Sequence, residues 1–217
     1  TAKDRGPIAF IESDNAGAWK HHVTRAVRRV LFIRPNVVIV ADAVDLDAPE
    51  AGVQSWNSFA EWEIIDGRSC ITRAGETGAR LTTFGGAPFE LLAGEASVHN
   101  ENGTEMPVYR SAYVTEPSET HRLLTVIEIL PPGGSHDAGA HEVEQSGARG
   151  RVAAAHKTAQ VEVISEEDPV LEVTTGSTVV RIAPSAALLP GDGLEIDECS
   201  TEGEFVYAVG DHGGDTH

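Results

Sequence analysis

The stretch RRVLFIRPNVVIVAD, residues 28–42, decides the fold of this chain. It predicts two apolar strands joined at Arg34-Pro35-Asn36, because proline sets the backbone for the first corner of a turn and asparagine tolerates the second. Val37 to Val40 are all β-branched, which is typical of a strand covered on both faces. The pattern therefore predicts a hairpin with one strand deep inside a β-structure.

Similar apolar runs, separated by Gly, Pro, Asn and Asp, continue to about Pro184 without helical periodicity. The predicted strands are Ile8–Glu12, Val23–Ile33, Val37–Val44, Val53–Ile65, Ser69–Arg73, Arg80–Phe84, Phe89–Ala93, Val108–Thr115, Arg122–Leu130, Val152–Ile164, Val170–Thr174 and Val179–Ile182. Regular spacing with turn signals favours a sandwich over β-α-β units. We therefore predict an all-β fold, a large antiparallel β-sandwich of stacked sheets.

Turns and boundaries follow from the same pattern. Asp66-Gly67 predicts a primed hairpin turn between two strands, and Thr175-Gly176-Ser177 predicts a turn within a closing meander. The sandwich domain is expected to span residues 1–190. Residues 191–217 are expected to add an edge hairpin and a polar tail that frays.

The chain is strongly acidic, with 34 acidic and 16 basic residues among 217 and a formal net charge of −18. Such a surface repels nucleic acid and, at long range, an anionic polysaccharide. Many acids with only three lysines are typical of proteins from saline surroundings, where salt screens self-repulsion, and also of acidic proteins from GC-rich genomes. Because no run of eighteen apolar residues occurs, the sequence predicts no membrane span.

The two cysteines, Cys70 and Cys199, leave a single disulfide bridge and two free thiols as open alternatives. They do not indicate the cellular compartment. The chain starts without methionine and enters its first strand within a few residues, so we expect a fragment or an N-terminally processed chain.

Four segments carry a family resemblance: SDNAGAW at residues 13–19, the hairpin at residues 28–42, SWNS at residues 55–58 and LLTVIEILP at residues 123–131. In this order they resemble segments of the heparinase II/III-like polysaccharide lyases, which include alginate lyases. The hairpin is similar to the family's Arg-x-Val-x-Phe-x-Arg-Pro-x-x-Val-Val-Val-x-Asp. Asn57 stands where the family often has the histidine of Trp-x-x-His-Ser. The resemblance covers about residues 6 to 131.

The resemblance implies the C-terminal sheet domain of an enzyme that cleaves uronic-acid-containing polysaccharide by β-elimination. That reaction needs a base and a group that neutralises the uronate carboxylate. In the family both lie on an N-terminal α/α-toroid domain, and the zinc ligands lie in segments that this chain does not match. The resemblance therefore implies no catalytic residue and no cofactor in this chain, although a full-length member can hold zinc. It also implies an inert domain without its toroid partner, and a periplasmic or secreted enzyme.

Seven residues are candidate contacts to the acidic polysaccharide: His21, His22, Arg25, Arg28, Arg29, Trp56 and Asn57. Alternation along a strand places Arg25 and Arg29 on one side and Arg28 on the other. Such guanidinium groups either bind sugar carboxylates through two parallel hydrogen bonds or pair with local acids, namely Asp42, Asp45 or Asp47.

The aromatic and histidine candidates also have structural alternatives. Trp56 and Trp62, placed on one strand and one face, are either a sugar-stacking pair or two core tryptophans. His21 and His22 either face a cleft or lie in solvent at a strand entrance. A loose metal spacing, His136-Asp137 with His141, lacks a fourth ligand, so we predict no metal site.

Two functions of different classes remain. The first is the sheet domain of a polysaccharide lyase. The second is a non-catalytic carbohydrate-binding or structural β-sandwich module.

Overall fold

The computed structural model describes residues 2–5, 8–19, 22–33 and 36–130, together with the strand segments 144–146, 149–153, 160–163, 171–175, 178–182 and 208–211. The chain divides into two compact units, Thr1–Gly134 and Ser135–His217. The first unit carries all the candidate residues and is described first.

The first unit contains eleven described strands. They are β1 (Ala2–Arg5), β2 (Ile8–Asp14), β3 (Val23–Ile33), β4 (Val37–Glu50), β5 (Val53–Ser58), β6 (Trp62–Ile64), β7 (Ser69–Ala74), β8 (Thr77–Gly85), β9 (Phe89–His99), β10 (Glu105–Thr115) and β11 (Ser118–Leu130). A single 3₁₀ turn, Ala16–Ala18, lies between β2 and β3. The predicted strands up to residue 130 are therefore confirmed, with the exception of Val53–Ile65, and β1 is an addition.

The strands form two antiparallel sheets. The large sheet has the order β1-β2-β3-β4-β11-β8-β7-β6, and the small sheet has the order β5-β10-β9. Strand β4 lies in the middle of the large sheet between β3 and β11. Val37, Ile39 and Val40 are almost fully buried there, which confirms the strand covered on both faces that the β-branched run predicts.

The core of the first unit lies between the two sheets. Cys70 and Leu81 from the large sheet pack with Leu91 and Tyr113 from the small sheet. The ring of Tyr113 meets Phe89 edge to face, with centroids 5.5 Å apart. Contacts of this kind between two antiparallel sheets define a β-sandwich, so the predicted fold class is confirmed.

The predicted strand Val53–Ile65 is wrong, because the chain changes sheets inside it. β5 belongs to the small sheet and β6 to the large one. At the crossing the Ser58 hydroxyl accepts a hydrogen bond from Ala60 N, and the Thr72 hydroxyl donates to Ala60 O at 3.0 Å. These side-chain bonds replace the ladder bonds that a continuous strand would make.

The turn between β6 and β7 also differs from the prediction. A primed turn needs positive φ at its glycine, but among the described glycines only Gly75 and Gly103 have positive φ. Instead, Asp66 Oδ1 accepts hydrogen bonds from the backbone N–H groups of Arg68 and Ser69 at 2.8 and 2.7 Å. The aspartate side chain, rather than the glycine backbone, therefore closes this connection.

The second unit contains six described strands in one antiparallel meander. They are β12 (Glu144–Ser146), β13 (Arg149–Ala153), β14 (Gln160–Val163), β15 (Leu171–Thr175), β16 (Thr178–Ile182) and β17 (Ala208–Asp211), paired in chain order. The predicted strand Val152–Ile164 is wrong, because β13 and β14 are two strands of a hairpin with Val152 opposite Val161. The closing hairpin is confirmed, since Thr175 lies opposite Thr178. The predicted boundary at residue 190 and most of the predicted edge hairpin lie outside the described residues.

Cys70 resolves one of the alternatives left open by the sequence. Its thiol is free and buried, and it lies 3.7 Å from the Tyr113 hydroxyl. Burial raises the pKa of this thiol, so Cys70 is a core residue rather than a reactive one. Cys199 lies outside the described residues.

Candidate functional site

The arginine at the centre of the site is Arg28 on β3, which lies directly opposite Asp42 on β4. Its Nε donates to Asp42 Oδ1 and its Nη2 to Asp42 Oδ2, both at 2.7 Å. These bonds raise the pKa of Arg28, and they form the two-pronged pair in which an arginine and a carboxylate are most strongly held. The charge of Arg28 is therefore matched by a partner within its own sheet.

A chain of hydrogen bonds connects this pair to the interior. Gln54 on β5 donates from Nε2 to Asp42 Oδ2 at 2.7 Å, and its Oε1 accepts from the Thr125 hydroxyl at 2.8 Å. Since Thr125 has a single hydroxyl hydrogen, Thr83 must donate to Thr125 across their 2.8 Å contact. The polar groups of two sheets are thus satisfied by one another, and this fixes the small sheet against the large one.

Trp56 lies beside Arg28 at the edge of the small sheet. The guanidinium carbon is 5.7 Å from the centroid of the indole, within cation–π range. Both Trp56 and Trp62 pack against the buried cluster between the sheets, and Trp62 Nε1 donates to Tyr109 O at 3.2 Å. The two tryptophans are therefore core residues on different strands, and their placement on one strand was wrong.

Asn57 points away from this interior. Because Gln54 and Trp56 face the large sheet, alternation along β5 turns Asn57 outward. Its Oδ1 accepts a hydrogen bond from Arg110 Nε at 3.1 Å, and Arg110 lies directly opposite it on β10. Asn57 and Trp56 are thus neighbours in sequence but lie on opposite faces of the small sheet.

The other two candidate arginines lie on the opposite face of β3 from Arg28, as predicted. Arg25 Nη1 is 3.7 Å from Asp45 Oδ2, and Arg122 Nη2 lies 2.6 Å from Asp45 Oδ1 in a second ion pair. Arg29 is almost fully buried, and its Nε donates to Glu12 at 2.7 Å. All three candidate arginines therefore pair with local acids, and contact with sugar stays a prediction for each.

His22 precedes β3 in an unusual backbone conformation. Its φ is 67°, in the left-handed region that non-glycine residues rarely adopt. Its Nδ1 lies 2.8 Å from Asp47 Oδ1, and its carbonyl accepts from Asp47 N at 2.9 Å. The hydrogen bond and charge of Asp47 raise the pKa of His22. The ring is exposed, as a strand entrance in solvent requires, whereas His21 lies outside the described residues.

Several residues of this arrangement are not singled out by the sequence. The alternation of inward and outward residues along their strands can be read from the sequence. Their hydrogen-bond partners, however, lie between 12 and 78 positions away. These residues are Arg110, Arg122, Gln54 and Thr125. His121 is likewise buried, where its Nε2 donates to Glu50 O at 2.9 Å and its Nδ1 meets the Thr115 hydroxyl at 2.9 Å. Only strand register could have revealed these contacts.

Metal and membrane properties were searched within the described residues. No three His, Cys, Asp or Glu side chains come together there to hold a metal ion. His136, Asp137 and His141 lie outside the described residues. In the described part of the chain, no helix has the length and apolar character needed to cross a membrane.

The fold has counterparts among solved structures. A heparinase III structure matches with a TM-score of 0.55 and 16% identity, over 84% of this chain and 26% of that one. A mutant heparan sulfate lyase HepC from Pedobacter heparinus matches with a TM-score of 0.55 and 11% identity, over 85% of this chain and 27% of that one. Another heparinase III structure matches at 13% identity. At such identities the likeness shows a heparinase-like fold alone, and this chain spans about a quarter of the length of those proteins.

No protein-family model and no curated protein sequence matches the chain.

Proposed function

We propose that the chain is the C-terminal sheet domain of a polysaccharide lyase that acts by β-elimination on uronic-acid-containing polysaccharide. The enzyme would need an N-terminal α/α-toroid domain for the chemistry, and the sheet domain would form one wall of the cleft. The solved structures with this fold are polysaccharide lyases by title, which supports the proposal at the level of fold.

The observation that carries the proposal is the meeting of the four family-like segments. Residues 28–42 form the β3–β4 hairpin, residues 123–131 contribute to β11 beside β4, and residues 13–19 follow β2 beside β3. Residues 55–58 belong to β5, where Trp56 contacts Arg28. Three of the segments, which span more than a hundred positions, thus lie on four neighbouring strands of the large sheet, and the fourth lies on β5 of the small sheet. This arrangement is expected if the resemblance reflects a common architecture.

The position of Tyr113 is consistent with a domain that is inert alone. β-Elimination begins when a base takes the C5 proton of the uronate, after which the C4 oxygen leaves with the electron pair of the broken bond. Tyr113 cannot serve as that base, because it is buried between the sheets and donates its hydroxyl to Arg68 O at 3.2 Å. Burial also raises the pKa of this hydroxyl far above neutral pH. Tyr113 is therefore a structural residue of the core.

The test is to extend the coding sequence upstream of Thr1 and assay both proteins. A preceding helical region of about 300 residues is expected on ordinary domain sizes. The longer protein should release unsaturated uronate, measured by ultraviolet absorbance, from at least one uronate polymer, whereas the present chain should release none. Product formation by the present chain, or a longer protein that is inactive on every uronate polymer, would overturn the proposal.

The second candidate is a non-catalytic carbohydrate-binding or structural module. The pairing of Arg25, Arg28 and Arg29 with Asp45, Asp42 and Glu12 favours it, because such pairs link neighbouring strands of the large sheet. An in-frame start codon close to Thr1 would select this candidate.

A further inference from the structure

The outward face of the small sheet has the composition of a surface that receives a flat, extended ligand. Its central row consists of Asn57, Arg110 and Gly94, which are cross-strand neighbours on β5, β10 and β9. The next row consists of Ser55, Ala112 and Leu92. The direct cross-strand neighbours of Arg110 are therefore short, and nothing within 4 Å would meet a Cβ added at Gly94.

Arg110 differs from the candidate arginines Arg25, Arg28 and Arg29 in its partner. Its Nε donates to the neutral amide oxygen of Asn57, and no carboxylate pairs with it among the residues that the structure describes. Because Asn57 occupies the Nε side, the two terminal nitrogens form a free edge that matches a carboxylate.

Exposed apolar side chains flank this arginine. Val53 at the start of β5 is 64% exposed, and Leu92 on β9 is 46% exposed. Alternate residues of a strand are about 7 Å apart, so an apolar surface lies within the length of a short oligosaccharide on one side of Arg110. The C–H faces of sugar rings pack on such surfaces, and a uronate carboxylate would meet the cation beside them.

We propose that this outward face, formed by Asn57, Arg110, Ser55, Val53 and Leu92, binds a uronic-acid chain through a carboxylate on Arg110. The proposal rests on the substrate class of the proposed function, but it places the sugar on the face of the small sheet opposite to the one that carries Trp56. Binding is expected to be weak, since the net charge of the protein opposes the approach of a polyanion.

The test is calorimetric titration of the present chain, at low salt, with a sulfate-free uronate hexasaccharide and with its carboxyl-reduced, neutral counterpart. Arg110→Gln should weaken the uronate about tenfold, since a hydrogen-bonded charge contributes roughly that much. Arg110→Lys should weaken it less, because charge is kept and the two-pronged geometry is lost. The neutral hexasaccharide should bind wild type and Arg110→Gln alike.

The matched control is Arg73→Gln on β7, an exposed arginine whose loss changes the net charge by the same amount. Binding that falls equally in both variants would mean that only long-range charge matters, and it would overturn the site. Wild-type protein that binds no uronate hexasaccharide would overturn it too. Neither result touches the elimination assay, so failure of this site and failure of the lyase proposal are distinguishable. Leu92→Ala, at an exposed position of the outward face, is expected to change stability little and should weaken both hexasaccharides.

Discussion

Arg28 and Arg110 are the same residue type on strands of one sandwich, yet their surroundings differ in one decisive respect. Arg28 gives two hydrogen bonds of 2.7 Å to the carboxylate of Asp42, whereas Arg110 gives one of 3.1 Å to the amide of Asn57. A carboxylate neutralises a guanidinium, and an amide only orients it. Arg28 is therefore suited to hold strands together, and Arg110 is suited to receive an anion.

The two arginines also differ in the hydrogen bonds of their partners. Asp42 accepts from Gln54, which accepts from Thr125, which in turn accepts from Thr83. The Arg28–Asp42 pair is therefore the end of a series of hydrogen bonds between the sheets. Asn57 has no such continuation among the described residues, and its side chain is exposed. Removal of a side chain from the Arg28 network should thus lower the free energy of unfolding, whereas removal of Asn57 or Arg110 should change ligand binding alone.

The largest expected effect is that of Asp42→Ala. This change removes the acceptor of three hydrogen bonds and leaves Arg28 and the buried Gln54 amide without it, so the free energy of unfolding should fall by about 3 kcal/mol. Urea denaturation measures the loss. Asn57→Ala is the control on the Arg110 side and should cost under about 0.5 kcal/mol. Equal losses would erase the contrast between the two arginines.

A smaller loss is expected within the polar chain. Thr125→Val keeps the side-chain shape but removes the hydroxyl that donates to Gln54 and accepts from Thr83, leaving two buried groups unsatisfied. The cost should be about 2 kcal/mol. Thr77→Val, at an exposed β8 position, is the matched control, and it should be near neutral. If Thr125→Val were also neutral, the chain would not fix the sheets.

The hairpin of residues 28–42 shows how far sequence can predict such contacts. Strand alternation correctly places Arg28 on the opposite face from Arg25 and Arg29. Of the three acids predicted as partners, Asp42 pairs with Arg28 and Asp45 pairs with Arg25. The two strands of a hairpin are close in sequence, so the position of the turn sets which residues lie opposite one another. The third acid, Asp47, binds His22 instead.

Arg110 marks the point where sequence reasoning fails. Its partner Asn57 lies 53 positions away in another strand, and the chain changes sheets between them at residues 59–61. A period-two pattern carries no signal for that crossing, because Trp56 and Trp62 keep the alternation of a single strand. The sheet that a residue belongs to, and hence its outward neighbours, follows only from tertiary pairing.

An intermediate case is the exposed ion pair of His22 and Asp47. The folded-state pKa of His22 is raised above 6.5 by Asp47, with a smaller contribution from Glu50. The His22–Asp47 ion pair therefore contributes fully to stability below about pH 6.5, and its contribution is lost as the pH rises through the folded-state pKa. The melting difference between wild type and His22→Ala should shrink from pH 6 to pH 8, by less than either effect above. A pH-independent difference for His22→Ala would mean that folding leaves the pKa of His22 unchanged.

The smallest expected effect is the salt dependence of the melting midpoint, which depends on net charge, and Arg28 and Arg110 contribute equally to that charge. Thirty-four acidic against sixteen basic side chains leave a self-repulsion that counterions screen over a Debye length of about 8 Å near physiological ionic strength. The 2.7 Å contacts of the Arg28–Asp42 pair lie well inside that length, so sodium chloride should weaken the distant repulsion more than the pair. The melting midpoint should therefore rise gradually with salt.

Arg110→Gln and Arg73→Gln each remove one positive charge, and both should steepen that rise equally. A flat or falling midpoint would show that local pairs already balance the acids, and a steeper rise for Arg110→Gln alone would show that Arg110 offsets neighbouring acids instead of awaiting a ligand.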